Sequence, residues 1–182
     1  MFADDIKIWR VISKVEDSDQ LQQDLYKLAG WSDKWLLSFN PEKCKVMHIG
    51  HRHPTQYYME DNGQTRCLQT ISEEKDLDVY ITSDLKPSRQ RAVASQKAMS
   101  VLGMIKRNFK RITVHDFKIL YNSYVRPHPE YCIQAWSPYL VADITQLEQI
   151  QRRAIKLVQG LKNTAYQDRL KTLGLYDVYE AI

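Results

Sequence analysis

Leu21, Leu25, Leu28, Trp31 and Trp35 recur along the chain at steps of four, three, three and four, with Ser32 beside the fourth. That spacing sets one apolar stripe along a helix, so residues 18–37 are predicted helical, with both tryptophans on the buried face. Asp17 or Ser18 is placed to cap the first turn, and Asn40-Pro41 to stop the helix. Ile6 and Ile8 alternate about Lys7, a short β signal over residues 6–12. Further strands are expected at 44–49, 56–59, 66–71 and 77–81, with Asp61-Asn62-Gly63 as a hairpin turn. Beyond Pro87 the period changes to helical, over residues 88–111, 113–125, 143–160 and 164–173. Arg126-Pro127-His128-Pro129 is expected to break this part in two. In the third segment Ile144, Leu147, Ile150, Ala154, Leu157 and Val158 line one side, and Gly160 is placed to end it. The pattern predicts an α+β chain: a mixed unit over residues 1–85, then an all-helical unit over 86–182.

Composition narrows the class. Hydrophobic residues make up 43% of 182, enough for a core. No apolar run approaches the roughly 20 residues that span a bilayer, and the opening Met-Phe-Ala-Asp-Asp does not suit a secretory signal. The expected setting is therefore intracellular, nuclear or cytoplasmic, without a membrane partner. Cys44, Cys67 and Cys132 are scattered and read as reduced, partly buried thiols. Cys44 with His48, His51 and His53 fits no standard zinc spacing and reads as a polar loop.

Charge divides the chain where the period does. Residues 1–85 hold 10 Lys/Arg against 15 Asp/Glu, a net −5, and residues 86–182 hold 16 against 7, a net +9. Residues 86–126 carry ten basic side chains and one acid, Asp116. Such a block is the footprint of a polyanion partner, or a solvated helical face.

Phe2-Ala3-Asp4-Asp5 is the candidate for metal chemistry. Adjacent carboxylates on a turn offer Mg²⁺ the hard oxygens it prefers, and two-metal phosphoryl transfer needs ions about 4 Å apart. By itself the string is also an ordinary acidic turn.

The blocks downstream of it supply a context. "FADDIKIW" looks like motif C of reverse transcriptases. "LYKLAGWSDKWLLSFNPEKCKVMHIG" resembles motif D, with its W-x-L-x-x-N-x-x-K pattern. "EEKDLDVYIT" resembles motif E. "DLKPSRQ", "LYNSYVRPHPEYCIQAWSPYLVADITQLEQIQRRAIKLVQGL" and "YQDRLKTLGL" resemble the thumb and following segment of non-LTR (LINE-type) retrotransposon enzymes. Each block is weak; their order across essentially the whole chain is specific.

The resemblance implies an incomplete reverse-transcriptase palm, a small antiparallel sheet plus one helix, followed by a helical thumb-like region. It implies that Asp4 and Asp5 match the catalytic metal-binding aspartates, with Mg²⁺ as the parent enzyme's cofactor, weak or absent here. Phe2 would lie near the primer end. Lys43 matches the motif D lysine, a candidate general acid for the leaving pyrophosphate. Lys97, Lys106, Arg107, Lys110 and Arg111 would grip the phosphates of an RNA template/DNA primer duplex.

Two residues depart from the pattern: Asp78 stands where motif E usually has Gly, and Pro129 where the family usually has Leu. Both read as decay of a copy. The family's fingers, motif A and motif B lie upstream of motif C and are not in this sequence. The expectation is therefore a polymerase fragment, inactive alone, with residual nucleic-acid binding. The alternatives are a domesticated interaction module, whose 144–158 stripe would take a partner helix, or a non-functional transposon remnant with an exposed sheet edge. The oligomeric state stays open.

Overall fold

The computed structural model describes residues 6–37, 39–50, 55–61, 63–137 and 141–177. The chain is α+β. It divides into two compact units, at Glu74 and Lys75, inside a strand and before the charge switch at residues 84–87.

The first unit is built on helix α1 (Val15–Lys34) and strands β1 (Lys45–Met47), β2 (Tyr58–Asp61), β3 (Gln64–Cys67) and β4 (Gln69–Ile71). The start of α1 differs from expectation. The cap lies earlier, and Asp17 acts from inside the first turn, its carboxylate accepting from the N–H groups of Ser13 (2.7 Å) and Lys14 (2.8 Å). Those bonds hold its carboxyl below the usual range, because they favour the charged form.

The end of α1 differs as well. The helix stops at Lys34, ahead of Asn40-Pro41. Its inward face runs through Ser18, Leu21, Leu25 and Ser32, so Trp31, one residue round from Ser32, is 45% exposed. Trp35 lies past the helix end and is 61% exposed. The expectation that both tryptophans are core is corrected by that phase. Leu21 and Leu25 pack instead with Tyr57, Met59 and Leu68. Gln22 fixes the docking: its amide donates to the Tyr58 carbonyl (2.8 Å) and its carbonyl accepts from the Tyr58 N–H (2.9 Å), as a neighbouring strand would.

Strands β2 and β3 pair antiparallel, with Asp61 opposite Gln64, as a hairpin there requires; Asn62 of the expected turn lies outside the described residues. Gly63 takes φ +78°, where a side chain would be strained. The sheet is not one antiparallel layer. Among the described residues there are three two-stranded sheets, and β1 with β4 is parallel. Residues 6–12 form no strand. A strand needs a hydrogen-bonded neighbour, and none of the described strands pairs with them.

The second unit begins inside β5 (Glu73–Asp76), which Leu77-Asp78 joins to β6 (Val79–Thr82). Both turn residues have positive φ, +45° and +65°, as a two-residue hairpin of this hand requires. Then come α2 (Ser88–Asn108), α3 (Val114–Leu120), a π-helical turn (Tyr121–Val125), α4 (Pro127–Glu130), α5 (Ile133–Trp136), α6 (Val141–Ala154), a 3-10 turn (Ile155–Leu157) and α7 (Tyr166–Leu173).

Ala94, Ala98, Leu102 and Ile105 of α2 are buried with Leu147, Ile150 and Ala154 of α6 in one core. The apolar stripe of 144–158 is used up there: Leu147, Ile150, Ala154 and Val158 are at most 4% exposed. It leaves no free face for a partner helix. The Pro127/Pro129 stretch does not cut the helical run. It loosens it, because two prolines lack the N–H groups that α turns need. Arg126 donates to Tyr121 O (2.9 Å) in a wider π turn. Pro129 itself sits inside α4.

The second core also holds a polar group of side chains. Tyr121 donates to Gln151 Oε1 (3.3 Å), Gln151 Nε2 donates to the Tyr176 carbonyl (2.7 Å), and the Tyr166 hydroxyl donates to buried Glu148. Burial pushes the tyrosine hydroxyls of Tyr121 and Tyr166 well above their ordinary value, and the Glu148 hydrogen bond adds to this at Tyr166.

Candidate nucleic-acid interface

Phe2, Asp4 and Asp5 lie outside the described residues, as do His51 and His53. Among the described residues no group of His, Cys, Asp or Glu could hold a metal ion. The cysteines are free thiols, with Cys67 exposed rather than partly buried. Lys43 lies in the first unit, exposed in the turn before β1, its N–H donating to Asn40 O (3.0 Å). The remaining candidate residues all lie in the second unit.

α2 and α6 run side by side in the same direction. Arg91 pairs with buried Asp143 (3.0 Å) near the start of both helices. Farther along, the Arg153 guanidinium meets the Met99 sulfur (3.9 Å). Beyond the helices, Ile112 and Val158 form a parallel β-bridge, with the Gln159 N–H donating to Ile112 O (2.9 Å). That bridge explains why α2 stops at Asn108 rather than 111: Phe109 turns extended (φ −114°, ψ 111°) and leads the chain into the pairing. The parallel arrangement carries the C-terminal ends of both helices to one end of the unit.

Two sets stand out among the basic side chains; Arg89, which lies over the Tyr80 ring, exposed Lys118 and Arg126 belong to neither. Members of the first set have acidic partners. Lys86 pairs with Asp84 (3.3 Å) and Arg91 with Asp143. Lys97 pairs with Asp78 (3.2 Å), whose carboxylate also binds Lys75. The bond from Lys75, then that from Lys97, hold the Asp78 carboxyl below its usual range. Asp78 thus fills a position with φ +65°, where glycine is at ease, and directs its charge at one of the expected phosphate-binding lysines.

Lys106, Arg107, Lys110 and Arg111 form the second set. All four are exposed, and none has an acidic partner among the described residues. The end of α2 and the residues just after it therefore present four cations without an acidic partner among the described residues, with exposed Lys156 following α6. Cations at a helix C-terminus also meet the negative end of its dipole.

Phe109 stands in the middle of the second set and is 46% exposed. Periodicity does not single it out, because residues 88–111 read as one helix and Phe109 as one more apolar position in it. In the sequence, only the adjacent basic pairs on either side mark it out. A shallow cavity of about 250 Å³, lined in part by Lys118, Asn122, Arg126 and Gly174, opens elsewhere in the unit. The Arg126 guanidinium there is already held by Glu130.

No helix among the described residues is long and apolar enough to cross a membrane. No family model matches the chain, and no curated protein or solved structure is significantly similar to it.

Proposed function

We propose that these 182 residues correspond to the portion of a non-LTR retrotransposon reverse transcriptase from motif C onward, comprising the rest of the palm and a thumb-like helical unit. Their own contribution is to hold an RNA template/DNA primer duplex by its phosphates rather than to catalyse synthesis. The reading rests on the order of the motif-like blocks. One structural observation supports the binding part: the uncompensated cations Lys106, Arg107, Lys110 and Arg111 at one end of the second unit. Asp4 and Asp5 would bind Mg²⁺ in the complete site, and Lys43 would serve the leaving pyrophosphate. In the family the third carboxylate of the two-metal centre comes from motif A, which is not among the blocks matched here.

A filter-binding titration with an RNA–DNA duplex tests the binding. Four phosphate contacts give a log–log salt slope of roughly −3.6, or about a hundredfold loss between 50 and 200 mM salt. Weak affinity with a flat salt response would remove this reading. Template-directed primer extension by the chain alone would remove its non-catalytic part.

A protein-binding module is the second reading, favoured by a different observation. Trp31, Trp35 and Leu36, at and beyond the end of α1, are 45%, 61% and 90% exposed. In a complete polymerase that surface would meet the rest of the palm; in a module it would meet a partner. Light scattering separates the two, since self-association through it survives nuclease treatment.

A further inference from the structure

The four cations could serve any phosphate chain, but Phe109 narrows the partner. A half-exposed phenyl ring costs free energy in water, and here it sits on an extended residue between two basic pairs, Lys106-Arg107 and Lys110-Arg111. Its position is fixed from both sides. Its own N–H is bound to Ile105 O (3.0 Å). Three residues on, Ile112 is 3% exposed and pinned by the bridge to Val158. A backbone held in this way presents the ring at little further entropic cost.

Duplex phosphates offer such a ring nothing, because the bases are stacked on each other. An unpaired strand offers both groups at once: phosphates for the cations and a free base face for the ring. We infer that the Phe109 patch binds a single-stranded nucleic-acid segment, with one base stacked on Phe109 and the adjoining phosphates held by Lys106, Arg107, Lys110 and Arg111. This rests on the reading of the basic end as a nucleic-acid surface and adds to it the unpaired strand adjoining a duplex, as what the ring among those cations takes.

The test uses the full chain and three fluorescent probes of about 12 nucleotides, a length within single-strand site sizes: oligo(dT), an abasic deoxyribose-phosphate strand, and a blunt duplex. The expected result is tighter binding of oligo(dT) than of the abasic strand. Phe109→Ala should weaken oligo(dT) roughly fivefold or more, leave its salt slope unchanged, and leave the abasic strand and duplex unaffected. Phe109→Trp should restore or exceed the native affinity. The ring is half exposed, so the alanine variant should fold, and an unchanged circular dichroism spectrum checks this. Equal binding of oligo(dT) and the abasic strand, or equal loss on all three probes, overturns the inference. Salt-sensitive duplex binding without any Phe109 effect overturns the inference alone. If none of the probes binds, the nucleic-acid reading falls with it.

Discussion

Replacing Asp143 by alanine should be among the most damaging single changes in the second unit, although it deletes only a short polar side chain. Asp143 is 3% exposed, forms an ion pair with the Arg91 guanidinium at 3.0 Å, accepts from the Ser88 hydroxyl at 3.3 Å, and joins the starts of α2 and α6. Removing one partner of a buried ion pair typically costs about 3–5 kcal/mol, because the other charge stays desolvated. The Arg91 side chain keeps 18% of its exposure. Water therefore recovers part of that loss, and we expect about 2–4 kcal/mol. Urea unfolding followed by tryptophan fluorescence reads the correct unit: Trp136 is 5% exposed, whereas Trp9, Trp31 and Trp35 are already largely in solvent. With a slope of about 1–3 kcal/mol per molar urea, the midpoint should fall by roughly 1–2 M. A companion Arg91→Met change removes the orphaned charge, so the double variant should be more stable than the sum of the single losses predicts. A cost below about 0.5 kcal/mol, or simple additivity, would show that the pair does not hold the two helices together.

Asp78→Asn keeps a residue that tolerates positive φ and releases Lys75 and Lys97, so the salt slope for an RNA–DNA duplex should steepen by about one; an unchanged slope in an anisotropy titration would count against Lys97 as a phosphate contact. High pH should unfold the second unit. Tyr121 and Tyr166 have raised values in the folded protein, so their stabilising contribution is complete below about pH 10, the ordinary tyrosine value. It declines above that, as the unfolded chain ionises first. For buried Tyr121 the loss is about 1.4 kcal/mol per pH unit. Denaturation midpoints measured between about pH 9 and 12 should bend downward for the native protein and less for Tyr121→Phe.

Hydrophobic periodicity locates every helix of more than one turn and the β2–β3 hairpin, because burial and turn chemistry are local signals. It fails where a distant segment decides. The phase of α1 is set by the Gln22–Tyr58 backbone contact, 36 positions apart, and that contact favours Ser32 over Trp31 on the inner face. The end of α2 is set by the Ile112–Val158 bridge, which stops the helix although residues 109–111 continue its pattern. The stretch 77–81 reads as one strand because Leu77 looks like a strand residue. Only its hairpin geometry, with φ +45°, shows that it turns. The expected strand at 6–12 carries the right alternation and lacks a described partner. In the basic region the charges are plain from the sequence but their pairing is not: Asp78 and Asp143 are distant in the chain from the cations that they occupy.

That pairing changes what the basic block means. Counted along the sequence, residues 86–126 hold ten cations against one acid, as though the whole of α2 could grip a polyanion. In the folded unit, acids from before and after the block reach back into it. Asp84 takes Lys86, Asp143 takes Arg91, Asp78 takes Lys97 and Glu130 takes Arg126. Counterion release scales with the charges that phosphates can neutralise, so a cation already held by a carboxylate gains less from a phosphate. The run of neighbouring cations that no described acid holds contracts to Lys106, Arg107, Lys110 and Arg111 at the end of α2, around exposed Phe109, with exposed Lys118 farther along the chain. Asp143, with its buried contact, holds the scaffold, whereas exposed Asp78 takes up a lysine that would otherwise extend the proposed surface.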